Sequence, residues 1–148
     1  MRVVLQRVTR AAVRVRGETV AEIGPGFLLL VAAGRDDALG EYDRLAEKIL
    51  HLRVFADADG KMNLPLSEVG GEVLVVPQFT LYGDIKRGRR PSWAGAAAPE
   101  IAAERVDAFA RALEALGVRV ARGAFGEHME VELVNDGPVT LAVDAADL

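Results

Sequence analysis

Between Val3 and Ile23 apolar and polar residues alternate loosely, the period expected of strands with one buried face. Val13 to Arg16 and Thr19 to Ile23 flank Gly17, which predicts an antiparallel hairpin with glycine at its bend. Gly24-Pro25-Gly26 is a turn without the spacing of a dinucleotide or P-loop fingerprint. The apolar run from Phe27 to Ala33 then predicts a strand buried on both faces. Tyr42, Leu45, Ile49 and Leu52 recur at helical spacing, so an amphipathic helix is expected there, with Asp36 and Asp37 available as caps.

Arg53-Val54-Phe55 is a short strand candidate, and Lys61 to Val69 reads as an irregular connection. Between them Asp57, Asp59 and Gly60 open like a calcium loop, but the ligand pattern fails at Lys61 and Met62, leaving a polar turn. Val73 to Val76 predict a buried strand ending at Pro77, which has no backbone donor for a ladder. Pro99 and Glu100 start a second helix with Val106, Phe109, Leu113 and Leu116 as its buried stripe and Gly117 just past its end. Val118 to Ala121, Met129 to Val134 and Val139 to Val143 read as three strands, the last two joined through a turn at Asn135-Asp136-Gly137-Pro138. This order predicts an α/β layered fold with a mixed sheet and two main amphipathic helices, all in one domain over residues 1–148.

Composition narrows the chemistry. With no cysteine, thiol nucleophiles, disulfides and thiolate metal sites are excluded. No apolar run approaches the length of a membrane span, and the N-terminal residues do not resemble a signal peptide, so a soluble cytoplasmic protein is expected. A formal net charge of −4 argues against indiscriminate coating of nucleic acid, yet Lys86, Arg87, Arg89 and Arg90 form a dense basic cluster near Trp93. That cluster suits a phosphate backbone or is simply a solvated loop. Neither Ser67 nor Ser92 sits in a nucleophile elbow, so a Ser-His-Asp hydrolase has little support. His51, beside the stripe of the first helix, reads as structural, and His128 lacks a second metal-type ligand at useful spacing. Two loops remain. Gln78 and Thr80 follow the buried strand and either face a cleft or satisfy loop backbone, while Gly137-Pro138 could hold carbonyls in a fixed orientation.

Taken together these two stretches resemble the D-aminoacyl-tRNA deacylase family, whose signatures are Ser-Gln-x-Thr and Asn-x-Gly-Pro-x-Thr. Here they stand as Pro77-Gln78-Phe79-Thr80 and Asn135-Asp136-Gly137-Pro138-Val139-Thr140. The similarity extends through Gln6-Arg7-Val8, Ile23 to Gly26, Lys61-Met62-Asn63 and Gly88 to Ser92, and departs at Pro77, where the family has serine. The resemblance implies a partly barrel-like sheet and a homodimeric, cofactor-free and metal-free hydrolase acting on tRNA that carries a D-amino acid or glycine, including glycine mischarged on tRNA(Ala). It implies neither a DNA nor a membrane partner. It further implies chiral proofreading by a cis Gly137-Pro138 peptide that enters the partner subunit's pocket and obstructs an L side chain. Gln78, Phe79 and Thr80 would then be the catalytic stretch, with Lys86, Arg87, Arg89 and Arg90 on the RNA. For the chemistry, an activated water with Phe79 and Thr80 backbone N–H groups on the oxyanion is favoured over a Thr80 nucleophile, which has no evident base. The alternative is a non-catalytic tRNA-binding homodimer.

Overall fold

The computed structural model describes residues 1–38 and 40–148. Its strands are β1 (Arg2–Val15), β2 (Glu18–Ile23), β3 (Gly26–Ala32), β4 (Phe55–Ala56), β5 (Met62–Leu64), β6 (Glu72–Pro77), β7 (Val120–Arg122) and β8 (Glu130–Asp144). Its helices are α1 (Glu41–Leu50) and α2 (Pro99–Ala115). The main sheet runs β2-β1-β3-β6-β7, with β8 along the other edge of β1. It is mixed: β1 is antiparallel to β2, β3 and β8, whereas β6 runs parallel to β3 and β7.

The expected hairpin closes at Arg16 and Gly17, whose φ values of 50° and 80° are the paired positive angles of a two-residue turn. The long first strand serves two cores. Val3 and Leu5 point with Phe27, Leu29, Val73 and Val75 toward the helices. Val8, Ala11 and Val13 point instead with Leu28, Leu74 and Val76 into the concave side, which β2 and the first half of β8 cover. Val8 and Ala11 share a face despite their odd separation because the ladder with β8 slips between Val8 and Arg10. That irregularity bends the sheet into a nearly barrel-shaped form.

α2 begins with Pro99 at a first-turn position and buries Ala102, Val106, Phe109, Ala110 and Leu113. Full burial of Phe109 or Leu113 stabilises the fold by about 1.5–3 kcal/mol each relative to exposure. Leu116 departs from the expected stripe: it follows the helix and is exposed, while Gly117 takes a φ of 90° after it. Leu52 lies past the end of α1 but still packs against the core.

Three further expectations need correction. The N-cap of α1 is Gly40, with no side-chain cap, so neither Asp36 nor Asp37 caps that helix. The Asp37 carboxylate turns inward, accepting the Gly34 N–H at 2.7 Å and pairing with the Met1 ammonium at 2.6 Å. The segment after Lys61 is not irregular: β5 pairs with β4, and Leu66–Val69 form a 3₁₀ turn. Finally, Asn135 to Pro138 do not reverse the chain. Both halves of β8 run antiparallel to β1, and the motif is a bulge within one strand. The Asp57 turn matches expectation, its Oδ1 accepting the backbone N–H groups of Asp59 at 2.9 Å and Lys61 at 3.0 Å.

Candidate functional site

The parallel strands β3 and β6 deliver their carboxyl ends to one side of the sheet, where ligands of α/β sheets commonly sit. A cavity of about 560 Å³ opens there. The strand ends, the start of α2 and the segment from Phe125 to Met129 surround it, and Pro77, Gln78 and Phe79 line its mouth.

Pro77 occupies this place without cost to the ladder. Along β6 the Val73 N–H reaches Arg119 at 3.0 Å on the β7 side, and the Gln78 N–H reaches Val31 at 2.8 Å on the β3 side. Donors alternate between neighbours along a strand, so the donor missing at Pro77 would face β7, whose pairing ends at Arg122. The pyrrolidine ring instead lies near Gly123, where an added Cβ would come within 3.5 Å of the Pro77 Cδ.

After Gln78 the chain enters a 3₁₀ turn over Phe79–Tyr82. The Gln78 amide donates to the Thr80 hydroxyl, which directs that exposed side chain along the turn. Neither the Phe79 nor the Thr80 backbone N–H finds an acceptor among the described residues, as expected of the first donors of a helical turn. These adjacent amides are therefore free, and of the two residues Phe79 lines the cavity whereas Thr80 is absent from its lining. The Phe79 ring is half exposed and meets Trp93 edge to face at 5.4 Å between centroids.

The far end of the turn is anchored by groups that sequence reasoning missed. Arg2 donates to the Leu81 carbonyl at 3.1 Å, lies 4.4 Å from the Tyr82 ring centroid and pairs with Asp144 at 3.0 Å. Tyr82 donates to Asp37 at 3.4 Å. Burial pushes the Tyr82 phenol up, the Asp37 and Asp144 carboxylates push it further, and Arg2 partly opposes them, so the hydroxyl stays protonated as a donor. Nothing in a linear pattern connects residues at opposite ends of the chain to this turn.

Gly137 and Pro138 lie elsewhere. They are exposed, joined by a cis peptide, and absent from the lining of the cavity in the same chain. Between the pairs Gln6–Thr140 and Val8–Asn135, two steps along β1 are matched by five along β8, which throws Asp136, Gly137 and Pro138 outward. The Asn135 amide staples the loop by donating to the carbonyls of Arg7 at 2.9 Å and Val139 at 3.0 Å. Arg7 donates to the Asp136 carbonyl at 2.9 Å, pairs with its carboxylate at 3.2 Å and also reaches the Val54 carbonyl.

Lys86, Arg87, Arg89 and Arg90 are exposed on a loop closed at its base by paired backbone bonds between Asp84 and Ser92, of 2.8 and 2.9 Å. Gly88 at its tip has a φ of 73°. His51 is exposed, its Nδ1 2.8 Å from the Glu47 carbonyl, and His128 lines the cavity without belonging to a potential metal cluster among the described residues. Among those residues no helix is long and apolar enough to cross a membrane.

Comparison with known proteins supports the resemblance. The family profile described as D-Tyr-tRNA(Tyr) deacylase matches residues 4–144. A relative from Desulforudis audaxviator, called D-aminoacyl-tRNA deacylase, is 56% identical over 148 residues, spanning 100% of this chain and 99% of its own. Among solved structures, one titled c-Myc DNA Unwinding Element Binding Protein is 37% identical with a TM-score of 0.89, covering 97% of this chain and 98% of its own. Another, a probable eukaryotic D-amino acid tRNA deacylase, shares the fold at a TM-score of 0.78 and 21% identity, covering 96% of this chain and 97% of its own. With that profile matched from β1 to the end of β8, the chain belongs to the D-Tyr-tRNA(Tyr) deacylase family of aminoacyl-tRNA ester hydrolases.

Proposed function

We propose that the chain is a homodimeric, cofactor-free deacylase that hydrolyses the ester between a D-amino acid, or glycine, and the terminal ribose of tRNA, including glycine mischarged on tRNA(Ala). The observation that carries this reading is the pair of adjacent, unpartnered Phe79 and Thr80 amides, which begin at Phe79 on the lining of the cavity. A carbonyl oxygen placed there would gain two hydrogen bonds as it becomes an oxyanion. Water attacks the ester carbonyl with the neighbouring 2′-hydroxyl of the ribose assisting proton transfer, and collapse of the tetrahedral intermediate expels the ribose oxygen. Thr80, held by Gln78, positions the substrate rather than attacking it. Thr80→Ala should therefore lose less than about tenfold in kcat under single-turnover conditions, whereas loss of a nucleophile costs several orders of magnitude.

Selectivity would come from a second copy of the chain. Its Gly137 and Pro138 carbonyls face the substituent on the substrate α-carbon, so an L side chain collides while hydrogen or a D side chain points away. The outward projection of the bulge and its stapling by Asn135 and Arg7 support this role. A Cβ on Gly137 would run into the Val139 backbone nitrogen, so Gly137→Ala must shift the bulge. Discrimination between D and L esters should fall at least tenfold, and unchanged discrimination would remove the bulge from the selector role.

The deciding experiment is single-turnover deacylation of tRNA charged with D, L and glycyl esters. D and glycyl esters should turn over about 100-fold or more faster than L. The exposed loop of Lys86, Arg87, Arg89 and Arg90 could serve nucleic-acid binding alone, a reading favoured by the name of one solved relative, a DNA unwinding element binding protein. Salt-sensitive RNA binding without turnover would establish that alternative instead.

A further inference from the structure

Beside the 3₁₀ turn over Phe79–Tyr82 lies a second cleft, of about 550 Å³, in which only Lys86 has been given a role above. Arg2, Arg35, Tyr82, Asp84, Lys86 and Ser92 contribute to its walls. The cleft and the cavity share a boundary. Phe79 and Tyr82 belong to one 3₁₀ turn, the first lining the cavity and the second the cleft. Trp93, between two cleft-lining neighbours, closes over Gly83, where an added Cβ would come within 2.8 Å of its ring, and touches Phe79. Both aromatic rings remain partly exposed, Phe79 by 55% and Trp93 by 41%.

The charges in the cleft are unequally committed. Arg2 is held by Asp144, and the Asp84 Oδ1 accepts the Lys86 backbone N–H at 2.8 Å. The Arg35 guanidinium and the Lys86 ammonium have no acidic partner among the described residues, although the chain as a whole is acidic. Arg35 is also fixed at its backbone, its N–H bonding Gly95 at 2.9 Å across the cleft. Two uncommitted cations beside an exposed indole are the parts list of a single-strand nucleic-acid groove, in which cations track phosphates and rings stack on bases.

We infer that this cleft binds the unpaired 3′ strand of tRNA just upstream of the terminal nucleotide, with Arg35 and Lys86 on its phosphates and Trp93 stacked on a base. The inference rests on the deacylase reading, because an ester placed at the Phe79 and Thr80 amides puts the strand leaving it next to Tyr82 and Trp93. The cleft would thus take a single-stranded nucleic-acid backbone, and the loop carrying Arg87, Arg89 and Arg90 would meet phosphates farther from the ester.

The test compares two substrates of the full-length protein: a D-aminoacyl-tRNA and the same D-aminoacyl ester on adenosine alone, which has no upstream phosphate. For the Arg35→Ala/Lys86→Ala pair and for Trp93→Ala, kcat/KM on the tRNA should fall at least tenfold more than on the adenosine ester, with the loss in KM. The paired variant should also flatten the dependence of log KM on log salt concentration by about 0.7 per lost phosphate contact. Thermal unfolding of each variant separates this from loss of fold. Equal losses on both substrates, or none on the tRNA, would overturn the role of the cleft while leaving the deacylase reading intact. Wild-type protein that turns over neither ester would overturn both.

Discussion

Phe79→Pro should lower kcat for the D-aminoacyl ester by about 10²–10³, or roughly 2.7–4 kcal/mol of transition-state stabilisation, with KM little changed. The substitution removes the Phe79 amide hydrogen with little disturbance of the backbone, and it removes the ring as well. Gln78 is the N-cap of the turn, which makes Phe79 its first residue, the position where proline's fixed φ and missing donor are best tolerated. Gln78 itself has φ −148° and ψ 72°, outside the helical region that a following proline disfavours. Phe79→Ala is the necessary partner. It removes the ring and its edge contact with Trp93 but keeps the amide, so it should cost much less in kcat. A Phe79→Pro enzyme that matches Phe79→Ala would show that this N–H does not bind the oxyanion.

Asp37→Ala should lower the free energy of unfolding by about 3–5 kcal/mol, read as a shift in denaturant midpoint at constant slope. The Asp37 side chain is only 8% exposed, and Met1, whose ammonium it faces, is buried as a whole residue. Removing the carboxylate leaves that cation without its partner in low dielectric, and it orphans the Gly34 N–H as well. Tyr82→Phe tests the remaining contact. It deletes only a long 3.4 Å bond and should cost about 0.5–1.5 kcal/mol. Because Tyr82 ends the 3₁₀ turn that carries Phe79 and Thr80, a loss of kcat in Asp37→Ala at temperatures where the protein is folded would show that this buried pair also holds the turn. Equal stability of Asp37→Ala and wild type would mean that the pair contributes nothing net.

The elements legible in the sequence are those whose own periodicity announces them. The unbroken run at Phe27, the alternation around Gly17 and the stripe of Val106, Phe109 and Leu113 each report a local burial pattern, and each appears as a strand, hairpin or helix. Sequence and structure part where one local signal fits two tertiary settings. An Asx-Gly-Pro sequence serves a hairpin turn or a bulge equally well, and only pairing of both flanking segments with the same strand decides between them. Asp37 before a helix is a plausible cap until the fold brings a buried cation to it.

The sequence by itself determined the family, the two motif stretches, the absence of thiol chemistry and the α/β character, because all of these depend on residue identity and short-range order. Tertiary structure decided what those residues face. It left the Phe79 and Thr80 amides free with Phe79 on the cavity lining, turned the missing donor of Pro77 toward the side where β7 ends, and kept Gly137 and Pro138 out of their own chain's pocket. It also brought Arg2 and Asp37 to the turn over Phe79–Tyr82 and opened the cleft beside it. Such placements are set by long-range packing and strand register, which act between residues far apart in the chain and leave no periodic trace in it.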